Sequence, residues 1–225
     1  IDHRGTHTKM QVGSTVELID HMGSDLTVVN AARVSFGKRK KSFTISDVGL
    51  VQYLAKHNHW SPFGHASMQF HIKAPVFVAR QLVKHQVGLV WNEVSRRYVD
   101  DEVEFYNPEE WRGKPTNSKQ GSSDEVIDIN SASMMVDDYE RVCKSAKWTY
   151  EHLLSLGVAP EQARMVLPQS MFTEWYWSGT LMAFARVCNL RCKPDTQKET
   201  QVVANQIDEL AEDLFPVSWK ALRNG

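Results

Sequence analysis

The sequence contains little of what would assign it to a class at first sight. Its three cysteines, Cys143, Cys188 and Cys192, form no Cys-x-x-Cys pair, which excludes a secreted disulfide framework and a zinc knuckle. The longest apolar runs, such as Ala74–Ala79, are too short to span a bilayer, and the polar first nine residues lack the apolar core of a signal peptide. We therefore expect a soluble, cytoplasmic protein that does not bind membranes.

Excess charge of one sign and the usual ligand-binding motifs are also missing. The 26 lysines and arginines nearly balance 27 aspartates and glutamates, and the net charge of -1 disfavours a general nucleic-acid binder. The basic run from Lys38 to Lys41 keeps that class open only as a weak alternative. There is no glycine-rich dinucleotide fingerprint and no His-Glu-x-x-His motif. The histidines between positions 57 and 71 therefore predict no metal site.

What is present is typical of one globular domain. The chain has 225 residues, of which 42% are hydrophobic and 24% charged, enough apolar surface for a sizeable core. Residues 10–225 are predicted to form this domain, and residues 1–9 an N-terminal extension or a cloning remnant, with Met10 as the natural start. The Pro-, Gly- and Ser-rich segment Asn107–Asp124 predicts a surface excursion within that domain.

Hydrophobic periodicity predicts strands early in the chain and helices late. Alternating residues predict strands over Thr15–Asp20 and Ala66–Ala74, the second with Met68, Phe70 and Ile72 on one face. Capping signals and apolar stripes predict helices from Ser24 to Ala32, from Thr44 to about Asn58, from Pro75 to about Gly88, over Ser131–Leu156, Pro160–Leu167 and Thr173–Asn189, and from about Gln197 to Leu214. This order favours an α+β fold over alternating α/β units.

The segment 77–100 holds the densest chemistry. On a helix, Gln81, Lys84 and His85 share one face, with Gly88 at its end. Such a polar stripe suits a planar ligand, although by itself it is more typical of a solvated surface. Residues 92–98 then place a carboxylate, a hydroxyl and two guanidiniums close together.

Arginines beside a serine hydroxyl are the usual parts of a phosphate site. A helix beginning near Asn92 would add a favourable dipole for an anion. Ser95 has no evident histidine and acid partners, so we expect it to bind a ligand rather than to act as a nucleophile.

These segments resemble the flavin-dependent thymidylate synthases. The family signature is Arg-His-Arg, seven residues and then Ser, and it ends in Asn-Glu-x-Ser-x-Arg-Tyr, as residues 92–98 do. Further blocks agree in order, namely residues 25–36, His59-x-Ser-Pro-Phe63, residues 70–81, Ala163-Arg-x-Val-Leu-Pro168 and Asn189-Leu-Arg191. The resemblance extends from about Val16 to Pro216, and so many blocks in one order make coincidence implausible.

The chain departs from the family pattern at the flavin contacts. Lys84-His85-Gln86 stands where the family has Arg-His-Arg, and eight residues rather than seven separate Gln86 from Ser95. Lysine is a point charge that cannot reproduce the bidentate geometry of a guanidinium. The family's asparagine and arginine contacts to the flavin correspond here to Thr180, Met182 and Arg186.

The resemblance implies a single α+β domain with an antiparallel sheet and several long helices. It also implies that the chain methylates dUMP at C5 to give dTMP, with methylenetetrahydrofolate as one-carbon donor, reduced FAD as hydride source and NADPH as reductant of the flavin. No enzyme nucleophile is expected, because the chain lacks the Pro-Cys pair of the other thymidylate synthase family. The implied assembly is a homotetramer with active sites shared between subunits.

The resemblance also implies site residues by position. Those implied to bind dUMP are Gln81, Lys84, Glu93, Val94, Ser95, Arg96, Arg97, Arg164 and Arg191. Those implied to bind FAD are Ser61, Lys84, His85, Gln86, Glu93, Thr180 and Arg186, with His59 placed where folate or nicotinamide stacks on the flavin. Arg191 is the candidate catalytic residue, since it would stabilise charge on N3 and O4 of the uracil ring. The departures at Lys84 and Gln86 leave one alternative, a dUMP-binding module that has lost its flavin.

Overall fold

The computed structural model describes residues 8–97, 102–116 and 121–224, and of residues 129–132 only the backbone. Its strands are β1 (Lys9–Gln11), β2 (Thr15–Met22), β3 (Ser67–Pro75), β4 (Leu89–Glu93), β5 (Glu104–Tyr106) and β6 (Phe172–Thr180). Its helices are α1 (Asp25–Arg33), α2 (Ile45–Lys56), α3 (Val76–Leu82), α4 (Ile129–Ser155), α5 (Pro160–Ala163), α6 (Leu181–Arg191), α7 (Lys198–Leu214) and α8 (Pro216–Arg223). Short 3-10 turns lie at Val34–Phe36, Ser61–His65 and Arg164–Val166.

A four-stranded antiparallel sheet is the centre of the fold. Its strand order is β2-β3-β6-β4, so β4 forms one edge beside the long strand β6. β3 presents Met68, Phe70 and Ile72 to the core at alternate positions, and all three are buried, as predicted. Burying each of these side chains contributes about 1.5–3 kcal/mol, which decides the face of the strand that points inward. The mixed architecture confirms the predicted α+β fold.

Six helices pack with this sheet. One hydrophobic cluster joins the sheet to α1, α2, α3, α6, α7 and α8, and its members include Phe70, Val28, Phe184, Ile207 and Trp219. A second, smaller cluster surrounds Phe105 of β5 and Cys143 of α4, next to the two-stranded parallel pair of β1 and β5. In the part of the chain that the structure describes, no helix is both long and apolar enough to span a membrane.

The starts of α1 and α2 agree with the predictions, because capping depends on neighbouring residues. α1 follows Ser24 and α2 follows Thr44, each with a capping box to its third helical residue. The backbone N–H of Thr44 donates to Oδ2 of Asp47 at 2.9 Å. The prediction has no helix α8, because it takes Pro216 only as the end of the preceding helix. Proline is also favoured in the first turn of a helix, and Pro216 begins α8.

The helix predicted over Thr173–Asn189 is wrong up to Thr180 and is confirmed from Leu181 onward. The chain there forms strand β6 and then helix α6. Trp175 and Trp177 are buried and alternate with less buried positions, which is the period of a strand. Close approach of β4 requires Gly179, where a Cβ would lie 2.6 Å from the carbonyl oxygen of Gly88.

Two predicted boundaries beside the densest chemistry are also wrong. α3 ends at Leu82 rather than near Gly88, so the Lys84-His85-Gln86 segment lies in a loop. Gly88 adopts φ +76°, a left-handed conformation that turns the chain into the next element. The helix expected to begin near Asn92 is instead the edge strand β4, which pairs with β6.

Candidate active site

A cavity of about 250 Å³ lies where the edge strand β4 ends. Glu93, Val94 and Arg96 reach it from β4 and the turn that follows. Arg164 reaches it from the 3-10 turn after α5, and Thr173 from the start of β6. The structure therefore brings together four of the predicted nucleotide residues, from segments about 70 residues apart in sequence.

The sheet holds the carboxylate of Glu93 in a defined orientation. Thr173 Oγ1 donates to Glu93 Oε1 at 2.8 Å, and Trp91 Nε1 donates to Glu93 Oε2 at 3.2 Å. The N–H of Val94 donates to the carbonyl oxygen of Glu174 at 2.9 Å, which extends the β4–β6 pairing by one residue. Glu93 is thus positioned as an acceptor at the mouth of the cavity.

Ser95 lies in the turn after β4 and is hydrogen-bonded to Arg97. Its Oγ accepts from the backbone N–H of Arg97 at 3.4 Å and from Arg97 Nε at 3.3 Å. Arg96 Nη2 donates to the carbonyl oxygen of Glu102 at 3.5 Å. A turn rich in guanidinium and hydroxyl donors is suited to an anion, without the helix dipole that the sequence predicted. Tyr98, the last residue of the motif, lies outside the described residues.

A second group forms at the C-terminal end of α6. Arg191 Nε donates to His85 Nε2 at 3.0 Å, and both side chains are half-buried. Burial lowers the pKa of His85, and the positive charge of Arg191 lowers this pKa further. His85 is therefore a neutral ring that accepts a hydrogen bond from the candidate catalytic arginine.

Gln81 lies on α3 and is bound to α7. Its side-chain nitrogen donates to Gln197 Oε1, and its oxygen accepts from Thr200 Oγ1 at 3.1 Å. Sequence reasoning missed Gln197 and Thr200, because nothing in their local pattern indicates contact with a residue more than 100 positions earlier.

The predicted flavin residues near α6 are mostly exposed. Lys84, Gln86 and Arg186 are exposed side chains on the loop and on the helix. Thr180 is the N-cap of α6, and its Oγ1 accepts from the N–H of Ala183 at 3.2 Å. Part of its hydrogen-bonding capacity therefore serves the helix.

His59 and Ser61 are exposed and follow α2. The His59 ring stacks on Tyr53 with 6.0 Å between ring centroids and 23° between planes. Tyr53 and Trp60 are also exposed, so this surface is aromatic. Planar surfaces of this kind suit a flat ligand.

Apart from Gln81, the predicted site residues thus occupy three places: the cavity beside β4 with the turn that follows, helix α6 with the loop from Lys84 to Gln86, and the aromatic surface after α2. Sequence reasoning missed Thr173 in the first of these, because the segment was predicted to be helical. Its signal was the high strand propensity of Phe172, Thr173 and the run Trp175-Tyr176-Trp177. Among the described residues, no group of three or more His, Cys, Asp or Glu side chains is placed to hold a metal ion.

Comparison with known proteins shows which proteins this chain is similar to. Residues 17–217 match the family described as thymidylate synthase complementing protein. A flavin-dependent thymidylate synthase of Thermus thermophilus is 39% identical over 206 residues, which cover 92% of this chain and 74% of that protein. The flavin-dependent thymidylate synthase of Kosmotoga olearia is 38% identical over 212 residues, covering 93% and 90%.

A solved structure is similar over the same length. The UMP/dUMP methylase PolB from Streptomyces cacaoi, crystallised with 5-Br dUMP, superposes with a TM-score of 0.85 at 32% identity. The superposition covers 96% of this chain and 97% of that one.

Proposed function

Because the chain belongs to the family of flavin-dependent thymidylate synthases, we propose that it methylates dUMP at C5 to give dTMP. The one-carbon unit would come from methylenetetrahydrofolate, the hydride from reduced FAD, and NADPH would reduce the flavin again. The observation that carries this proposal is the cavity beside β4, where Arg96 and Arg164 lie with the oriented carboxylate of Glu93. We assign residues 10–225 to the catalytic domain.

The cavity fits the phosphate end of a nucleotide. Arg96 and Arg164 supply two guanidiniums, which bind phosphate oxygens more specifically than lysine does. Ser95 and Arg97 add a hydroxyl and a guanidinium at the same turn. Glu93 is an acceptor, suited to a donor group of the sugar or base rather than to the phosphate.

Arg191 would act on the uracil ring. A held guanidinium would activate the ring toward reaction at C5 by stabilising the negative charge that develops on N3 and O4, in the manner of an oxyanion hole. Gln81 and Lys84 would complete the nucleotide contacts. The mechanism needs no covalent enzyme nucleophile, and Cys143 and Cys188 are buried in the two hydrophobic clusters.

The side chains around α6 fit a flavin dinucleotide. Lys84 and Arg186 are exposed cations suited to the pyrophosphate, and Gln86, Ser61 and His85 supply polar groups. FAD would supply the hydride when bound. His59, stacked on Tyr53, would form part of the surface against which folate or nicotinamide lies.

We propose a homotetramer with shared sites. The site residues form three groups on one chain, and large apolar side chains are exposed on its surface, including Phe36, Trp60 and Val90. Light scattering after size-exclusion chromatography would give the mass of the assembly. A monomer with full activity would contradict shared sites.

The test is the visible absorbance spectrum of the purified protein, followed by chromatographic assay of dTMP. We expect a flavin spectrum that dUMP perturbs, and dTMP formation that requires methylenetetrahydrofolate and NADPH. Arg164→Ala should raise the KM for dUMP, whereas Arg141→Ala, an exposed residue of α4, should not. A colourless protein that binds dUMP but takes up no FAD would contradict the proposal and support the flavin-free module.

A further inference from the structure

We propose that His85 is a positioning residue whose neutral ring holds the guanidinium of Arg191, so that it acts on the nucleotide through that arginine. The inference rests on the proposed function, because it assigns a role within the same site. It separates His85 from its two neighbours in the signature, which the resemblance groups together as flavin contacts.

The hydrogen bond defines the state of the ring. Arg191 Nε is 3.0 Å from His85 Nε2, within the range of an N–H···N hydrogen bond. Arginine only donates, so Nε2 must carry the lone pair and Nδ1 the proton. Protonation of His85 would remove the acceptor and bring two cations together. Burial and the charge of Arg191 both lower the pKa of His85, which favours the neutral ring.

The backbone places His85 beside α6. The N–H of His85 donates to the carbonyl oxygen of Leu82 at 3.0 Å, and the N–H of Thr180 donates to the carbonyl oxygen of Gly88 at 3.2 Å. A Cβ at Gly88 would lie 3.1 Å from Ala183 Cβ, so this loop lies directly against the helix that ends in Arg191.

The departures from the family signature leave this arrangement intact. Lys84 and Gln86 are exposed, whereas His85 between them is half-buried. The bond to Arg191 therefore depends on the loop backbone and on one ring nitrogen. It does not depend on the charges of the flanking side chains.

Holding Arg191 through Nε prepares it to bind. The bond does not use the two Nη groups, with which a guanidinium makes bidentate contacts. A side chain already held in one rotamer loses less conformational freedom when the substrate arrives. His85 should therefore influence dUMP affinity and turnover, and not only flavin affinity.

Two similar substitutions separate this role from a flavin contact. His85→Gln places an amide oxygen near the position of Nε2, whereas His85→Asn places its amide near Nδ1. We expect His85→Gln to keep the affinity for dUMP within about 3-fold and His85→Asn to weaken it about 10-fold to 100-fold. The affinity is measured by calorimetric titration of dUMP into the FAD-loaded protein, and the affinity for FAD is measured in parallel.

A double-mutant cycle completes the test. In an Arg191→Lys background, which removes the Nε–H donor, His85→Asn should have no further effect on dUMP affinity. Independent, additive effects would overturn the proposal, as would His85→Asn binding dUMP like the unsubstituted chain. A rescue by Asn instead of Gln would assign the essential atom to Nδ1 and also overturn it. Failure of the unsubstituted chain to bind dUMP would refute the proposed function itself.

Discussion

Two groups in this chain contain an arginine and differ in the partner that the arginine meets, a carboxylate in one and a neutral ring in the other. Asp47 is fully buried and accepts hydrogen bonds from Arg33 at 3.0 Å, from the backbone N–H of Thr44 at 2.9 Å, and from Lys40. Arg191 is half-buried and donates through Nε to the neutral ring of His85.

The difference separates a structural network from a binding group. At Asp47 a carboxylate pairs with both Arg33 and Lys40 and compensates one of their two charges, so an anion there would compete with that carboxylate. At Arg191 the cation faces a neutral acceptor, and its charge stays available to an anion or a developing negative charge. Whether a carboxylate compensates the charge of the arginine therefore distinguishes the two groups better than burial or residue type does.

Removing the carboxylate of the compensated network should have the largest effect. Asp47→Ala leaves Arg33 and Lys40 without their buried acceptor, and we expect the free energy of unfolding to fall by about 3–5 kcal/mol. Urea denaturation measures this change. Asp213→Ala, an exposed carboxylate of α7, is the control and should stay within about 0.5 kcal/mol. A loss below about 1 kcal/mol at Asp47 would show that the network is not structural.

The same network predicts the response to acid. Burial alone raises the pKa of Asp47, but hydrogen bonds from Lys40, Thr44 and Arg33 outweigh burial and hold this pKa well below its usual range. The stabilisation is therefore complete above the unfolded-state pKa of about 3.9 and is lost as the pH falls toward the folded-state value. Asp47→Ala should flatten the stability profile in that range.

Removing the uncompensated arginine should affect turnover and not stability. Arg191→Ala removes the charge that stabilises the uracil ring, and we expect kcat for dTMP formation to fall by the equivalent of about 2–4 kcal/mol. The melting temperature and the bound flavin should stay close to those of the unsubstituted enzyme. Turnover within a factor of about two would contradict the catalytic role.

A smaller effect is expected where a hydrogen bond orients the cavity. Thr173→Val removes the donor to Glu93, and because that carboxylate is partly solvated we expect a cost of about 1 kcal/mol. Steady-state kinetics should show this as a rise of about fivefold in the KM for dUMP. Thr149→Val, on α4, should leave that KM unchanged, and a similar rise in both variants would indicate a general loss of structure.

The smallest effect is expected for a solvent-exposed ion pair. Lys144 Nζ lies 3.0 Å from Glu140 Oε2, one helical turn away on α4. Lys144→Ala should lower the free energy of unfolding by only about 0.3–0.5 kcal/mol, and added salt should remove the difference. A loss above about 1 kcal/mol would mean that charge compensation matters on the surface as well.

Local sequence patterns predicted much of the fold. The alternation over residues 66–74, the capping boxes at Ser24 and Thr44, and the long helices α4 and α7 all depend on residues within a few positions of one another. The prediction of β6 as a helix shows the limit, since its alternation becomes evident only when β3 and β4 pair on either side of it.

The residues of the candidate site could be predicted from the sequence, but their arrangement in space could not. The sequence by itself determined the family, the α+β class and the chemical groups available, because these follow from residue types and their local order. Only the tertiary structure decided that Arg164 and Glu93 line one cavity, that Gln81 is hydrogen-bonded to α7, and that His85 is hydrogen-bonded to Arg191. Each of these pairs joins residues about 70 or more positions apart, and packing of the sheet and helices, rather than any local preference, brings them together.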